Sequence, residues 1–249
     1  MLLKLIACEV FTREVCHCVA RGPHAVDLEF TPKDAHNDAD ILRALLQERI
    51  DAAGASERHY DAIALCLGLC GNSTVGLVSP SIPLVIPRVH DCCALFLGSR
   101  AQWKHHFSEA PSTPFSSTGY MEHGGELMRA DDSMSQHLGI GQSYAEFVEQ
   151  YGEENAAYLW ETLNPVHTPG EHDRVVFIDI PECPGEEQLA TCKQRAEAEG
   201  KEFVKLDGRL DLVRDLVCGN WNEDDFLVIP PGATTAAVYD FDTVLKAVQ

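Results

Sequence analysis

The run YDAIALCLGLCG, Tyr60 to Gly71, restricts the fold more than any other stretch of the chain. It is nearly continuously apolar from Ala62 onward and stops at glycine. A strand with one face in water alternates apolar and polar residues, whereas an unbroken apolar run suits a strand covered on both faces of a parallel sheet. The neighbouring segments agree. LLKLIACEV reads as a strand, REVCHCVAR as a helix and AVDLEFT as a second strand. DADILRALLQERIDAAG reads as an amphipathic helix with an Asp start and a Gly stop. IPLVIPR follows as a fourth strand, with DCCALFLGSRAQWKHHF as the helix after it. The order β-α-β-α-β predicts an α/β fold built on a parallel sheet with covering helices.

The C-terminal part repeats the rhythm. RVVFIDI, EFVKLDG and DDFLVIPPG read as strands, separated by the helices GEEQLATCKQRAEAEG and RLDLVRDLVCG. YDAIALCLGLCG and DDFLVIPPG each end in a glycine-containing loop, which suggests a weak internal duplication. The expected architecture is two Rossmann-like three-layer lobes with mostly parallel sheets. Residues 1–100 form the N-terminal lobe, 101–172 a bridging helical and loop segment, and 173–249 the C-terminal lobe. The bridge contains YAEFVEQYGEENAAYLWETLN, a helix or helix pair.

Charge narrows the function classes. The net charge of −20 disfavours nucleic acid and anionic membranes, which need clustered Lys and Arg. No run of 18 apolar residues marks a membrane span. The opening MLLKLIACEVF alternates like a strand, is interrupted by Glu9 and has no small-residue cleavage site after it. It reads as the first core strand of a cytoplasmic protein.

Seven of the ten cysteines lie in the first half of the chain. In a reducing compartment such thiols are buried hydrophobes or metal and redox groups. Cys16, Cys18, Cys192 and Cys218 fall on helix faces and read as core, while Cys183, at a strand end, is less settled. Ligands of open parallel sheets sit at the carboxyl ends of the strands. Cys8 ends the first strand, Cys66 and Cys70 end the third, and His90, Asp91 and Cys92 follow the fourth. No linear zinc-finger or ferredoxin spacing is present, so the topology alone brings these groups together. Cys66 lies too deep and reads as core, leaving Cys70 as the ligand. Cys92 and Cys93 diverge at a helix start, where dipole and free N–H groups would lower a thiol pKa. Cys8, Cys70 and Cys92, with His90 or a substrate as fourth group, form a donor set suited to zinc. The same residues would also serve an iron–sulfur cluster or thiol redox chemistry, or simply line an interior.

Other groups suggest substrate contacts. Asn72, Ser73 and Thr74 in GLCGNSTVGL are placed to donate to a carboxylate or phosphate, without a lysine or Walker spacing. Arg88 is available to pair with Asp91 or to bind an anion. STGYMEHGGE holds Tyr120, Glu122 and His123 in what reads as an exposed loop, with acid–base or ligand duty as the sharper option. His105 and His106 read as surface residues.

LIACEVF, YDAIALCLGLCGNSTVGL, LVIPRVHDCCALFLGS and SSTGYMEHG resemble, in order, the motifs of the bacterial and archaeal family of unknown function 1638. The resemblance spans residues 3–125 and implicates Cys8, Cys70, Gly71, Asn72, Arg88, His90, Asp91 and Cys92. Cys93 stands where a hydrophobic residue is common, which favours Cys92. Ser73 replaces a glycine of the family motif, and SSTGYMEHG departs from the usual form. The resemblance also implies a setting of corrinoid-dependent methyl transfer, beside a corrinoid protein, since no corrinoid-binding signature is present here. A zinc-thiolate site that lowers the pKa of a bound thiol suits such a methyl acceptor step. The leading expectation is therefore a zinc protein acting as a methyltransferase or an accessory to one. An iron–sulfur or redox protein, and a non-enzymatic module clamping a small anion between Arg88 and the GNST loop, are the alternatives.

Overall fold

The computed structural model describes residues 1–109, 113–124, 174–238 and 243–249. The helix expected in 144–164 lies outside them. The first sheet begins with β1 (Leu2–Cys8), β2 (Ala25–Thr31), β3 (Ala62–Cys66) and β4 (Leu84–Pro87), all parallel, in the order β2-β1-β3-β4. Helices α1 (Thr12–Val19) and α2 (Ala39–Gly54) are the crossovers. Every residue of β3 and β4 is buried, as the unbroken apolar runs require. The Asp38 side chain caps α2 by accepting from the backbone N–H of Asp40 and Ile41, and Leu42, Leu46, Ile50 and Ala53 form its buried stripe.

Further along come α3 (Cys92–Leu97), α4 (Arg100–Phe107), β5 (Phe115–Ser117) and α5 (Thr118–Glu122). After residue 173 follow β6 (Arg174–Asp179), α6 (Glu186–Ala198), β7 (Glu202–Asp207), α7 (Asp211–Cys218), β8 (Phe226–Ile229), β9 (Thr234–Ala237) and β10 (Leu245–Val248). The helix expected from Asp91 to Phe107 is two helices. Gly98 closes α3 in a left-handed conformation, and the Ser99 hydroxyl caps α4 by accepting from the Gln102 N–H.

The fold is α/β with parallel pairing throughout β1–β4 and β5–β7, yet the sheets cross the boundaries at 100 and 172. β8, expected in a C-terminal sheet, pairs antiparallel with β4, Leu84 opposite Ile229 and Pro87 opposite Phe226. β5, from the expected bridge, pairs parallel with β6 to give a sheet β5-β6-β7. The physical reason is the edge of β4: an apolar edge strand needs a partner, and β8 supplies one. α7 packs on α1 and β3 and buries Leu212, Val213, Leu216 and Val217. One core cluster therefore runs from β1 to β10, with a smaller one of Val175, Phe177, Cys192 and Ala196 between β6 and α6. Cys18 and Cys192 are buried, as expected of core cysteines; Cys16 is exposed and Cys218 only half-buried. Residues 14, 15 and 18 form the inner face of α1, and Cys16 points away from it. Among the described residues no helix is long and apolar enough to cross a membrane.

Candidate functional site

The strand order 2-1-3-4 means that the chain leaves β1 toward one edge and returns on its other side as β3. The loops beyond β1 and β3 therefore leave toward opposite sides, the switch point at which ligands of open α/β sheets characteristically bind. Cys8 is the last residue of β1, level with Thr31 of β2 and one step beyond the Ala7–Cys66 pair. The loop after β3 is drawn onto the loop after β4. The Leu69 N–H donates to Val89 O at 2.8 Å and the Cys70 N–H to His90 O at 3.0 Å. Gly68 makes this approach possible, because a Cβ there would meet the Asp91 backbone at 2.8 Å. Cys70, Gly71 and Asn72 then turn with φ of 43°, 65° and 71°. For a non-glycine residue the left-handed region costs on the order of 1–2 kcal/mol, a strain that persists only where the surroundings impose it.

Cys92 is the first residue of α3, and the Asp91 side chain caps that helix by accepting from the Ala94 N–H at 3.4 Å. Burial pushes the Asp91 carboxyl up to about 6, opposed by hydrogen bonds from Ala94, Cys93 and the Trp103 indole. The Cys92 Sγ lies 2.6 Å from the Tyr120 Oη, and Cys92 is near enough to Cys70 to raise the Cys70 thiol. Cys8 sits within electrostatic reach of both thiols. The four groups come from β1, the loop after β3, the start of α3, and α5.

Burial pushes the Cys8 thiol up to about 12. The hydrogen bond with Cys92, followed by burial, raises Cys70. Burial, with Cys92 adding to it, raises the Tyr120 phenol. Cys93, expected to be thiolate-like at a helix start, is instead raised by burial. With only six residues, α3 has too small a dipole to offset that desolvation. Cys8, Cys70 and Tyr120 are thus held as neutral donors. Among the described residues no group of three His, Cys, Asp or Glu side chains is already spaced to hold a metal ion.

Tyr120 is not in the expected zinc donor set, and the segment expected to be an exposed loop is a strand end and short helix, buried through Tyr120 and exposed at Glu122. The Ser117 hydroxyl caps α5 by accepting from the Tyr120 N–H at 3.3 Å. The phenol ring packs between Phe96 and Phe115, at centroid distances of 5.8 and 5.6 Å. Gly119 sets the depth: a Cβ there would lie 1.8 Å from the Val10 carbonyl oxygen. The Arg13 Nε donates to Glu122 Oε2 at 2.7 Å, and its Nη2 completes a fork to Oε1. His123 Nδ1 is 3.6 Å from Glu9 Oε2. Glu122 and His123 thereby brace α5 against the chain that follows β1. The sequence signal was there to find: a Ser-Thr-Gly-Tyr cap with glycine directly before the aromatic residue.

The remaining expected residues go elsewhere. His90 meets the cluster through its carbonyl, while its ring lies 5.5 Å from Trp103 and lines a cavity of about 560 Å3 with Arg88, Arg100 and Lys104. The Arg88 guanidinium donates to the carbonyl oxygens of Glu223, Thr243 and Leu245. Asn72 is exposed, and its carbonyl accepts from Arg43 at 2.8 Å. Ser73 is buried and donates to Leu69 O at 3.3 Å. Arg88 and the GNST loop accordingly have separate partners. Cys66 is fully buried, in keeping with its reading as core.

Fold and site together define an α/β protein with a thiol–phenol cluster at the switch point of a parallel sheet. The family model described as "Protein of unknown function (DUF1638)" matches residues 30–217, and the chain belongs to that family. The match includes Cys70, Cys92 and Tyr120 and begins after Cys8. Neither the curated proteins nor the solved structures compared with the chain give a match.

Proposed function

We propose that the chain is a metal-thiolate protein in which Cys8, Cys70 and Cys92 hold zinc. Its role is in corrinoid-dependent or one-carbon methyl transfer, as a methyltransferase or an accessory to one. One observation carries the metal reading: Cys8, Cys70 and Cys92 come from three separate segments and lie within electrostatic reach of one another at the switch point of the sheet, with Cys70 in a left-handed turn. Packing alone favours neither that strain nor the raised Cys8 and Cys70 thiols, whereas a divalent cation stabilises the thiolates it binds. Three protein donors leave a fourth position for a reacting group, and zinc-bound thiols are nucleophilic near neutral pH. The methyl-transfer setting comes from the resemblance alone. His90 is then a wall of the adjoining cavity and a backbone support for Cys70.

The test is elemental mass spectrometry on anaerobically purified protein beside Cys70→Ser and Cys92→Ser, followed by methylcobalamin and a thiol acceptor. About one zinc per chain, lost in both variants, and thiol-dependent loss of the methylcobalamin spectrum are expected. Folded protein without metal in any preparation overturns the reading. A second reading rests on the proximity of Cys70 to Cys92, which suits a reversible dithiol. It predicts a thiol titre that falls by two on oxidation and no bound zinc. Iron with matching sulfide would move the case to electron transfer.

A further inference from the structure

We infer that the cavity beyond β4 binds a small organic anion with a planar ring, its charged group against Arg100 and Lys104 and its ring against Trp103 and His90. The inference is independent of the metal reading, since no cysteine is among the described residues that line this cavity. The volume, about 560 Å3, lies within the range of small-molecule pockets. The loop after β4 supplies Arg88 and His90, α4 supplies Arg100, Trp103 and Lys104, and the loop before β8 supplies Glu223 and Asp224. Ligands of open α/β sheets bind at such carboxyl ends of parallel strands. Side-chain bonds to backbone tie the walls together. Arg100 donates to the Asp224 carbonyl, and Arg88 donates to Glu223 O at 3.0 Å and Thr243 O at 2.7 Å. The cavity therefore has anchored walls.

The lining selects the ligand. The whole chain has 19 Lys and Arg against 39 Asp and Glu. In the described lining the balance is reversed: Arg88, Arg100 and Lys104, with His90 titratable, face Glu223 and Asp224. A cavity that gathers cations on so acidic a protein attracts an anion locally. Arg100, Trp103 and Lys104 stand at i, i+3 and i+4, one face of α4, so both cations flank the indole. Trp103 is buried, Arg100 half-buried and Lys104 exposed, which places the charge toward the mouth and the ring toward the floor. The His90 ring lies 5.5 Å from the indole, and Phe107 backs the indole at 6.4 Å. Aromatic surface of this kind receives a planar apolar group. Glu223 and Asp224 are exposed and repel a second anionic group, so the ligand carries its charge at one end.

The full chain is titrated by calorimetry with phenyl phosphate, benzoate, inorganic phosphate and phenol. Phenyl phosphate or benzoate is expected to bind at one site per chain, about tenfold or more tighter than inorganic phosphate or phenol, which each supply half of the recognition. The tighter of the two aromatic anions names the charged group. Lys104→Glu, at an exposed position, is expected to weaken that binding about tenfold. Lys193→Glu, the same charge change at an exposed position of α6, is expected to leave it unchanged. In proton–nitrogen correlation spectra of the wild type, the indole signal that Trp103→Phe removes is expected to shift with the probe. No binding of either aromatic anion, or equal weakening by the two lysine variants, overturns the inference. An indole shift confined to the other tryptophans does so too. Inorganic phosphate binding as tightly as phenyl phosphate overturns the role given to the ring.

Discussion

Glu14 is the clearest case of a side chain whose surroundings dictate its behaviour. It sits on the inner face of α1, about 1% exposed, with Cys18, Cys66 and Cys183 in electrostatic reach. Its Oε2 has no hydrogen-bond partner among the described residues. Burial raises its carboxyl from the ordinary 4.5 to about 7, with Arg13 opposing and Glu122 adding to the rise. The folded chain therefore keeps this proton while the unfolded chain has lost it. Its stabilising contribution is complete below pH 4.5 and disappears as pH climbs through 7, a loss of at most roughly 3 kcal/mol. Glu14→Gln is expected to remove that decline, so that the variant gains on the wild type between pH 5 and pH 8 in urea unfolding. Parallel stability curves for the two would show that Glu14 does not titrate in this window. At this scale the places of Cys8, Cys70 and Cys92 after strands were legible, because strand ends are readable from apolar runs. The sequence was silent on Glu14, since a glutamate in a short amphipathic helix gives no sign of which turn faces the core.

Among the elements, α5 matters most for its size. Its five residues are too few for a helical period to register, and its position is set by contacts distant in sequence: Val10, Arg13 and Glu9. This is why Tyr120 reads from the sequence as part of a loop. Gly119→Ala forces a Cβ into the Val10 carbonyl and is expected to cost about 1–3 kcal/mol or more by overpacking. Near-ultraviolet dichroism of the displaced tyrosine reads the same change. A variant with unchanged stability and spectrum would mean that α5 is free to shift. Gly68→Ala acts on the other side, prising the post-β3 loop from Asp91. It is expected to weaken metal uptake at least tenfold, about 1.4 kcal/mol, in a competitive chelator titration. Uptake equal to that of the wild type would separate the loop contact from the site.

The whole molecule is held together across the boundaries that the sequence suggests. DDFLVIPPG has the apolar run of a parallel strand, but neither direction nor sheet membership is encoded in such a run. The open edge of β4 decides both, and Arg88 secures the arrangement by donating to carbonyls in the segment around β10. Deleting 226–249 leaves that apolar edge uncovered and is expected to give an aggregating chain without cooperative thermal unfolding. A soluble, cooperatively folding product would mean that the first four strands stand alone. The switch point between β1 and β3 depends on this frame, because the segments that carry Cys8, Cys70 and Cys92 leave from these strands. The most direct test of the account is an anomalous difference map at the zinc edge, from crystals of the anaerobically purified full chain. The account predicts one peak bounded by the Sγ atoms of Cys8, Cys70 and Cys92. A well-ordered cluster with no peak there, or a peak at other residues, would contradict it.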